Sequence, residues 1–225
     1  MTACRLIIFV KWPEKGKVKT RLAAAIGEEG ACKLYKCFVE DTVAMAGAAG
    51  FRPLIAYCPE EAGSRVAAWL GNGKDYMPQS GRDLGEKMKN AFKRVFEDGC
   101  LQAVLIGSDI PDLPPAIITE AFSALENKQA VIGPAKDGGY YLIGFRRDAY
   151  AGQVFRGMSW GSSDIFERSI AVLEREGIDV YVLPVWSDMD RPADIAELVK
   201  RNSEGPFMRS KTMSYLRNKT SFILI

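Results

Sequence analysis

Apolar positions in this chain fall in short continuous runs, separated by longer stretches in which they recur every three or four residues. Leu6–Val10 is one such run, the pattern of a strand buried on both faces. From Glu28 to Ala46, the residues Ala31, Leu34, Tyr35, Phe38, Thr42 and Met45 stand at helical spacing, and Gly47 can end that helix. Pro53–Cys58 reads as a second strand, with a short helix through Val66, Trp69 and Leu70. Asp83 to Phe96 carries Leu84, Met88, Phe92 and Val95 on one stripe. Ala103–Ile106 is a third strand, and Pro114 to Leu125 is a helix with prolines in its first turn. Ala130–Gly133 and Tyr140–Phe145 read as strands joined by a glycine-rich turn. Ser162 to Glu176 is a helix with Ser162 or Ser163 as its cap, Val180–Val185 the last strand, and Pro192 opens a helix to about Arg201. This alternation predicts a single α/β domain over residues 1–204, with a mostly parallel central sheet and helices on both faces. The tail, Gly205–Ile225, breaks the rhythm. It is basic and then apolar, and reads as a strand, a dimer arm or a partly disordered segment.

Composition narrows the classes. A chain of 225 residues can bury a sizeable core in one domain. Its net charge of +2 provides no global field for nucleic acid. No apolar run approaches the roughly 20 residues of a membrane span, and MTACRLIIFV reads as a strand instead of a signal peptide. The five cysteines are scattered with no C-x-x-C pair, as in a reducing compartment, so a cytoplasmic location is expected. The oligomeric state stays open, a homodimer included. The absence of histidine matters most: it excludes Ser-His-Asp and Cys-His catalysis and His-ligated zinc. Chemistry here falls to carboxylates, cations, hydroxyls, backbone amides or a hard cation held by aspartates.

Candidate chemistry gathers at strand ends, where open α/β sheets bind ligands. KWPEKGKVKTR, residues 11–21, follows the first strand with five cations, one proline and one glycine. Arg21 can grip phosphate bidentately, the lysines act as point charges, and Gly16 lets backbone N–H groups approach. Asp109 stands after Ala103–Ile106 in LIGSDIPDL, suited to hold a divalent cation against phosphates. Asp112 is read either as functional or as a cap of the helix near Pro114. Asp188 and Asp190 alternate in an extended segment and project to one side; Asp190 or Arg191 can cap the next helix, and Asp194 suits its first turn. Asp137-Gly138-Gly139 suits a tight hairpin turn and a close ligand approach.

Taken together and in order, several of these pieces resemble a family. They are KWPEKGKVKTRLA, Leu34-Tyr35 with Asp41-Thr42, DLGEKM, LIGSDIPDL, GPAKDGGYYLIGF, Ser159-Trp160-Gly161 and DMDRPADI. The set resembles bacterial GT-A-like proteins labelled glycosyltransferase-like or radical-SAM/selenodomain-associated transferases, over about residues 5–200. It is more distantly similar to 2-phospholactate and molybdenum-cofactor guanylyltransferases. The resemblance implies a Rossmann-like nucleotide-diphospho-sugar transferase fold. It places Lys11, Gly16, Lys19 and Arg21 around nucleotide phosphates, and Thr20 and Ser108 are expected to join them. It makes Asp109 a ligand of Mg²⁺ or Mn²⁺, with Asp188 or Asp190 as the second ligand, and sets Asp137, Gly138, Gly139 and Trp160 on the acceptor side. S-D-I-P-D departs from D-x-D, and residues 11–21 depart from the G-x-G-x-R…K loop of sugar nucleotidyltransferases.

The expected activity is metal-dependent transfer from a nucleotide or sugar-nucleotide donor to a small acceptor, with Lys19, Arg21 and Asp109 carrying the catalysis. The alternatives are nucleotidyl transfer with release of pyrophosphate, and a non-catalytic nucleotide- or sugar-binding protein. A P-loop fails because Val18 stands where Ser or Thr is required. A haloacid-dehalogenase reading of Asp188-Met189-Asp190 fails because only about 35 residues follow, too few for the domain that motif needs.

Overall fold

The computed structural model describes residues 4–218. Seven strands form one sheet: β1 (Cys4–Lys11), β2 (Leu54–Cys58), β3 (Asp75–Pro78), β4 (Gln102–Ile106), β5 (Ala130–Pro134), β6 (Tyr140–Arg146) and β7 (Val180–Val182). Their spatial order is β3-β2-β1-β4-β6-β5-β7. Only β6 runs against the others, pairing antiparallel with β4 and β5. The sheet is therefore mostly parallel, as the alternation predicts.

Seven α-helices flank it: α1 (Thr20–Ala48), α2 (Gly63–Leu70), α3 (Leu84–Glu97), α4 (Pro115–Asn127), α5 (Ile165–Arg175), α6 (Pro192–Arg201) and α7 (Lys211–Arg217). On β1, Leu6, Ile8 and Val10 face one core with Phe38, Ile118 and Leu198; Ile7 and Phe9 face a second core with Met88, Phe92 and Leu173. Both faces of the central strand are thus covered, the physical reason for its unbroken apolar run.

Several boundaries differ from the sequence reading. β3 was not anticipated: it is an edge strand whose four residues are all half-buried, so no apolar run marks it. The first helix begins at Thr20 instead of Glu28, crossing a kink at Gly27. The cap of α5 is Asp164, not Ser162 or Ser163; the Ser162 hydroxyl donates instead to the Asp164 carboxylate. Arg191 is the N-cap of α6, and the Asp194 carboxylate accepts from the Asp190 and Arg191 amides. The tail is helical where it is described. α7 lies on α1, and the buried Asp41 accepts the Lys211 and Thr212 amides at 3.0 and 2.7 Å. Residues 219–225, including SFILI, lie outside the described residues.

Candidate active site

The carboxyl ends of β1 and β4 lie side by side in parallel register, which brings the residue 11–21 loop next to Gly107-Ser108-Asp109. Tyr35 of α1 ties the two ends together. Its hydroxyl accepts the Lys11 amide at 2.9 Å and lies 3.0 Å from the buried Ser108 hydroxyl. Burial raises the Tyr35 phenol pKa well above its ordinary value, so it stays a neutral linker. The Lys11 ammonium donates to the Lys17 carbonyl at 2.7 Å and closes the loop on itself.

Lys19 is the pivot. It adopts a left-handed conformation (φ 48°, ψ 46°) at the cap of α1, and among the described residues it is the one non-glycine residue with positive φ. Such a conformation costs about 1 kcal/mol or more in an L-residue and marks a place held by its surroundings. Its ammonium, 4% exposed, lies 2.9 Å from Asp109 Oδ2 and 2.6 Å from Asp190 Oδ1. Burial pulls its pKa down, but the two carboxylates more than offset that, and the proton is held more tightly than usual. Arg21 stands outside, 61% exposed, with Nη1 3.5 Å from Asp190 Oδ2.

Asp188 and Asp190 reach the site because Met189 between them points into the core, fully buried, and its amide donates to the Asp109 carbonyl at 2.9 Å. Behind this junction Asp112, its side chain 1% exposed, accepts from Arg201 at 2.6 and 2.8 Å, from Asn202 at 2.7 Å and from Trp186 at 3.2 Å. Asp112 therefore caps no helix, since Pro114 occupies the N-cap of α4; it anchors the Asp109 loop to the end of α6.

Two connected spaces result. A cleft of about 440 Å³ is lined by Lys11, Lys17, Lys19, Arg21, Asp109 and Asp190, with Thr20 alongside. A chamber of about 400 Å³ opens beside it over β1, β4 and β6, walled by Phe9, Leu84, Met88, Leu105, Tyr140 and Trp160. Lys11, Tyr35, Asp109, Asp137 and Gly161 line both. Asp188 and Gly139 line the chamber. The Asp188 carboxyl is pushed up to about 6, first by burial and then by the charges of Asp137 and Asp190.

Two glycines named by the sequence motifs act through packing. Gly138 has φ +90°, and a Cβ there would fall inside the Ser163 carbonyl. At Gly85 of DLGEKM a Cβ would come within 2.7 Å of the Trp160 ring, so this glycine lets the indole lie against α3. Gly16 and Gly138 line neither space. Tyr35, Gln79, Met88 and Tyr140 line the chamber but carry no site role in the sequence reading, where Tyr35 and Met88 stand on apolar stripes and Tyr140 opens a strand.

Among the described residues no three acidic or cysteine side chains converge as a complete cation site. Asp109 Oδ1 is nonetheless buried without a hydrogen-bond partner, and Asp188 stands in excess negative charge. Two carboxylates of this kind fit a hard cation whose remaining ligands come from phosphate oxygens and water.

The family profile described as "Uncharacterized protein conserved in bacteria (DUF2064)" matches residues 42–162. The chain belongs to this family. A structure from Desulfovibrio desulfuricans G20, named for a nucleotide-diphospho-sugar transferase, is 40% identical with a TM-score of 0.95, covering 99% of this chain and 97% of that one. The chain therefore has the nucleotide-diphospho-sugar transferase fold that the motifs imply. More distant structures share the fold. CMP:2-keto-3-deoxy-manno-octonic acid synthetase complexed with CTP is 10% identical with a TM-score of 0.57, covering 90% of this chain and 99% of that one. Rv0371c from Mycobacterium tuberculosis H37Rv in complex with manganese is 18% identical with a TM-score of 0.55, covering 88% and 99%.

Proposed function

We propose that this chain is a transferase that moves a group from a nucleotide-linked donor to a small acceptor with the help of Mg²⁺ or Mn²⁺. One observation carries the reading. The cation-lined cleft contains a buried, unpartnered carboxylate oxygen of Asp109 and opens directly into a second chamber. Donor phosphates occupy the cleft, where Arg21 and the lysines face them, and the acceptor enters from the chamber side. Asp109 and Asp188 hold the cation, because both oxygens of Asp190 are already engaged by Lys19 and Arg21. When bound, the cation neutralises charge on the leaving phosphate. Lys19 holds Asp109 and Asp190 on one ammonium, so the residues supply positioning and electrostatics more than covalent chemistry.

Nucleotidyl transfer from a triphosphate is the second reading, favoured by the number of cations along one cleft. Pyrophosphate release separates it from glycosyl transfer.

A thermal-shift panel of nucleoside diphosphates, triphosphates and nucleotide sugars, each with Mn²⁺ or EDTA, tests the proposal on wild type and Asp109→Asn. A ligand at 100 times its Kd adds about 2.7 kcal/mol, roughly 5–10 °C for a chain of this size. The expected result is a Mn²⁺-dependent shift that Asp109→Asn abolishes. A wild type that answers no nucleotide refutes the reading.

A further inference from the structure

The two connected spaces differ in charge as well as in shape. Lys11, Lys17, Lys19 and Arg21 of the 11–21 loop line the cleft. The chamber has one, Lys11, and its ammonium is engaged by the Lys17 carbonyl. Against it stand the carboxylates of Asp137 and Asp188, with Asp109, whose Oδ2 is paired with the Lys19 ammonium at 2.9 Å. The wall below is apolar and aromatic, with Tyr140 and Trp160 edge-to-face at 6.4 Å. Its volume of about 400 Å³ lies within the roughly 300–1,000 Å³ of small-molecule sites.

Among the polar groups that line the chamber, the Tyr140 hydroxyl is weakly engaged. The nearest partner of the Tyr140 hydroxyl is the Met88 sulfur at 3.8 Å, a weak acceptor, and burial raises its pKa far above the ordinary phenol value. It stays a neutral donor and acceptor with capacity to spare.

We propose that the chamber selects a neutral acceptor, an alcohol or phenol carried on an apolar or aromatic body, and rejects phosphorylated or carboxylated ones. This rests on the transferase reading above and gives its substrate class. An anionic acceptor would enter against Asp137 and Asp188, while Lys19 is committed to Asp109 and Asp190 and the Lys11 ammonium is tied to the Lys17 carbonyl. A cation shared by Asp109 and Asp188 is committed to the donor phosphates, and Asp137 still faces the entrant. A neutral alcohol places its body on Met88, Leu105 and Trp160 and its hydroxyl near Asp137. In the transfer, the acceptor oxygen forms a bond to the anomeric carbon of the donor sugar. The bond from that carbon to the diphosphate oxygen breaks, and its electron pair leaves with the nucleoside diphosphate. The acceptor proton passes to the Asp137 carboxylate, which lines both spaces.

The experiment is tryptophan-fluorescence titration with matched pairs sharing one ring: phenyl β-D-glucoside against phenyl phosphate, and 4-hydroxybenzyl alcohol against 4-hydroxybenzoate. The neutral member of each pair is expected to bind at least tenfold more tightly, with the emission change lost in Trp160→Phe. Met88→Lys, which sets an ammonium on the chamber wall, should weaken the neutral members tenfold and strengthen phenyl phosphate, while the Mn²⁺-dependent nucleotide shift persists and reports a folded protein. Should that variant not fold, Leu84→Lys, at an exposed edge of the chamber, makes the same test. Equal or tighter binding of the anionic members overturns the proposal, as does failure of both series to bind. A Met88→Lys variant that loses the nucleotide shift but keeps the neutral ligands also overturns it, since the chamber would then hold the nucleobase. Absence of any nucleotide shift in wild type refutes the donor reading alone, because the matched pairs are read without nucleotide.

Discussion

The cleft and the chamber share a sheet edge and are built by opposite means. The cleft is a set of charges fixed by other charges: Lys19 between Asp109 and Asp190, with Asp112 held by Arg201 behind them. The chamber is part of the apolar core left open at one end, its wall continuous with the packing of Phe92, Phe145 and Phe155. Polar geometry depends on each partner being present, since a buried charge without its counterpart is costly. Apolar geometry depends on volume and tolerates changes that preserve it. The two regions should therefore fail differently.

The largest effect is expected at the anchor of the cleft. Arg201→Ala leaves Asp112 buried with its main partner gone, a loss of about 3–5 kcal/mol, read as a fall in Tm. Nucleotide binding should suffer more than binding of the neutral aromatic ligands, because the Asp109 loop loses its support while the chamber wall does not. Equal loss of both would erase the distinction between the regions.

Gly138→Ala attacks the other side. The added methyl meets the Ser163 carbonyl at a left-handed φ, with an expected cost of about 3 kcal/mol. The displaced segment leads from Trp160 to Ile165, so aromatic ligands should weaken while the Mn²⁺-dependent nucleotide shift survives.

Smaller effects sharpen the picture. Arg21→Ala removes an exposed cation 3.5 Å from Asp190, so stability should stay within about 0.5 kcal/mol. Affinity for nucleoside diphosphates should nonetheless drop roughly tenfold, the loss of one charge-assisted contact. Asp188 gives the smallest change. Its folded pKa of about 6 lies above its unfolded value, so the fold favours the protonated form and loses stability as pH rises from about 4 through 6. In EDTA, Asp188→Asn should gain on the order of 1 kcal/mol or less over wild type at pH 7.5 and nothing at pH 4. A gain independent of pH would assign the effect to packing.

Much of the fold was legible because period and burial agree. β1, β4 and β6 are covered on both faces, so their apolar runs are unbroken, and α3 and α6 carry clear one-sided stripes. β3 was missed because an edge strand with four half-buried residues has no such run. The cap of α5 was misplaced because Ser162 spends its hydroxyl on Asp164 instead of on a helix amide. Asp112 stays open between a functional role and a cap in the sequence because its true partners lie 89 and 90 residues away.

The candidate site divides along the same line. By itself the sequence determined the α/β class, the absence of histidine chemistry, and the placing of Lys19, Asp109, Asp137, Asp188 and Asp190 at strand ends, since these depend on local pattern and residue type. Only the tertiary structure decided what each does: that Lys19 is buried between two carboxylates, that Tyr35 joins two strand ends, that Asp112 clamps α6, and that Met88 and Tyr140 wall a chamber. A residue's charge and period are local properties. Its neighbours are set by how the strands order in the sheet, and that order brings Lys19 and Asp190 together across 171 residues.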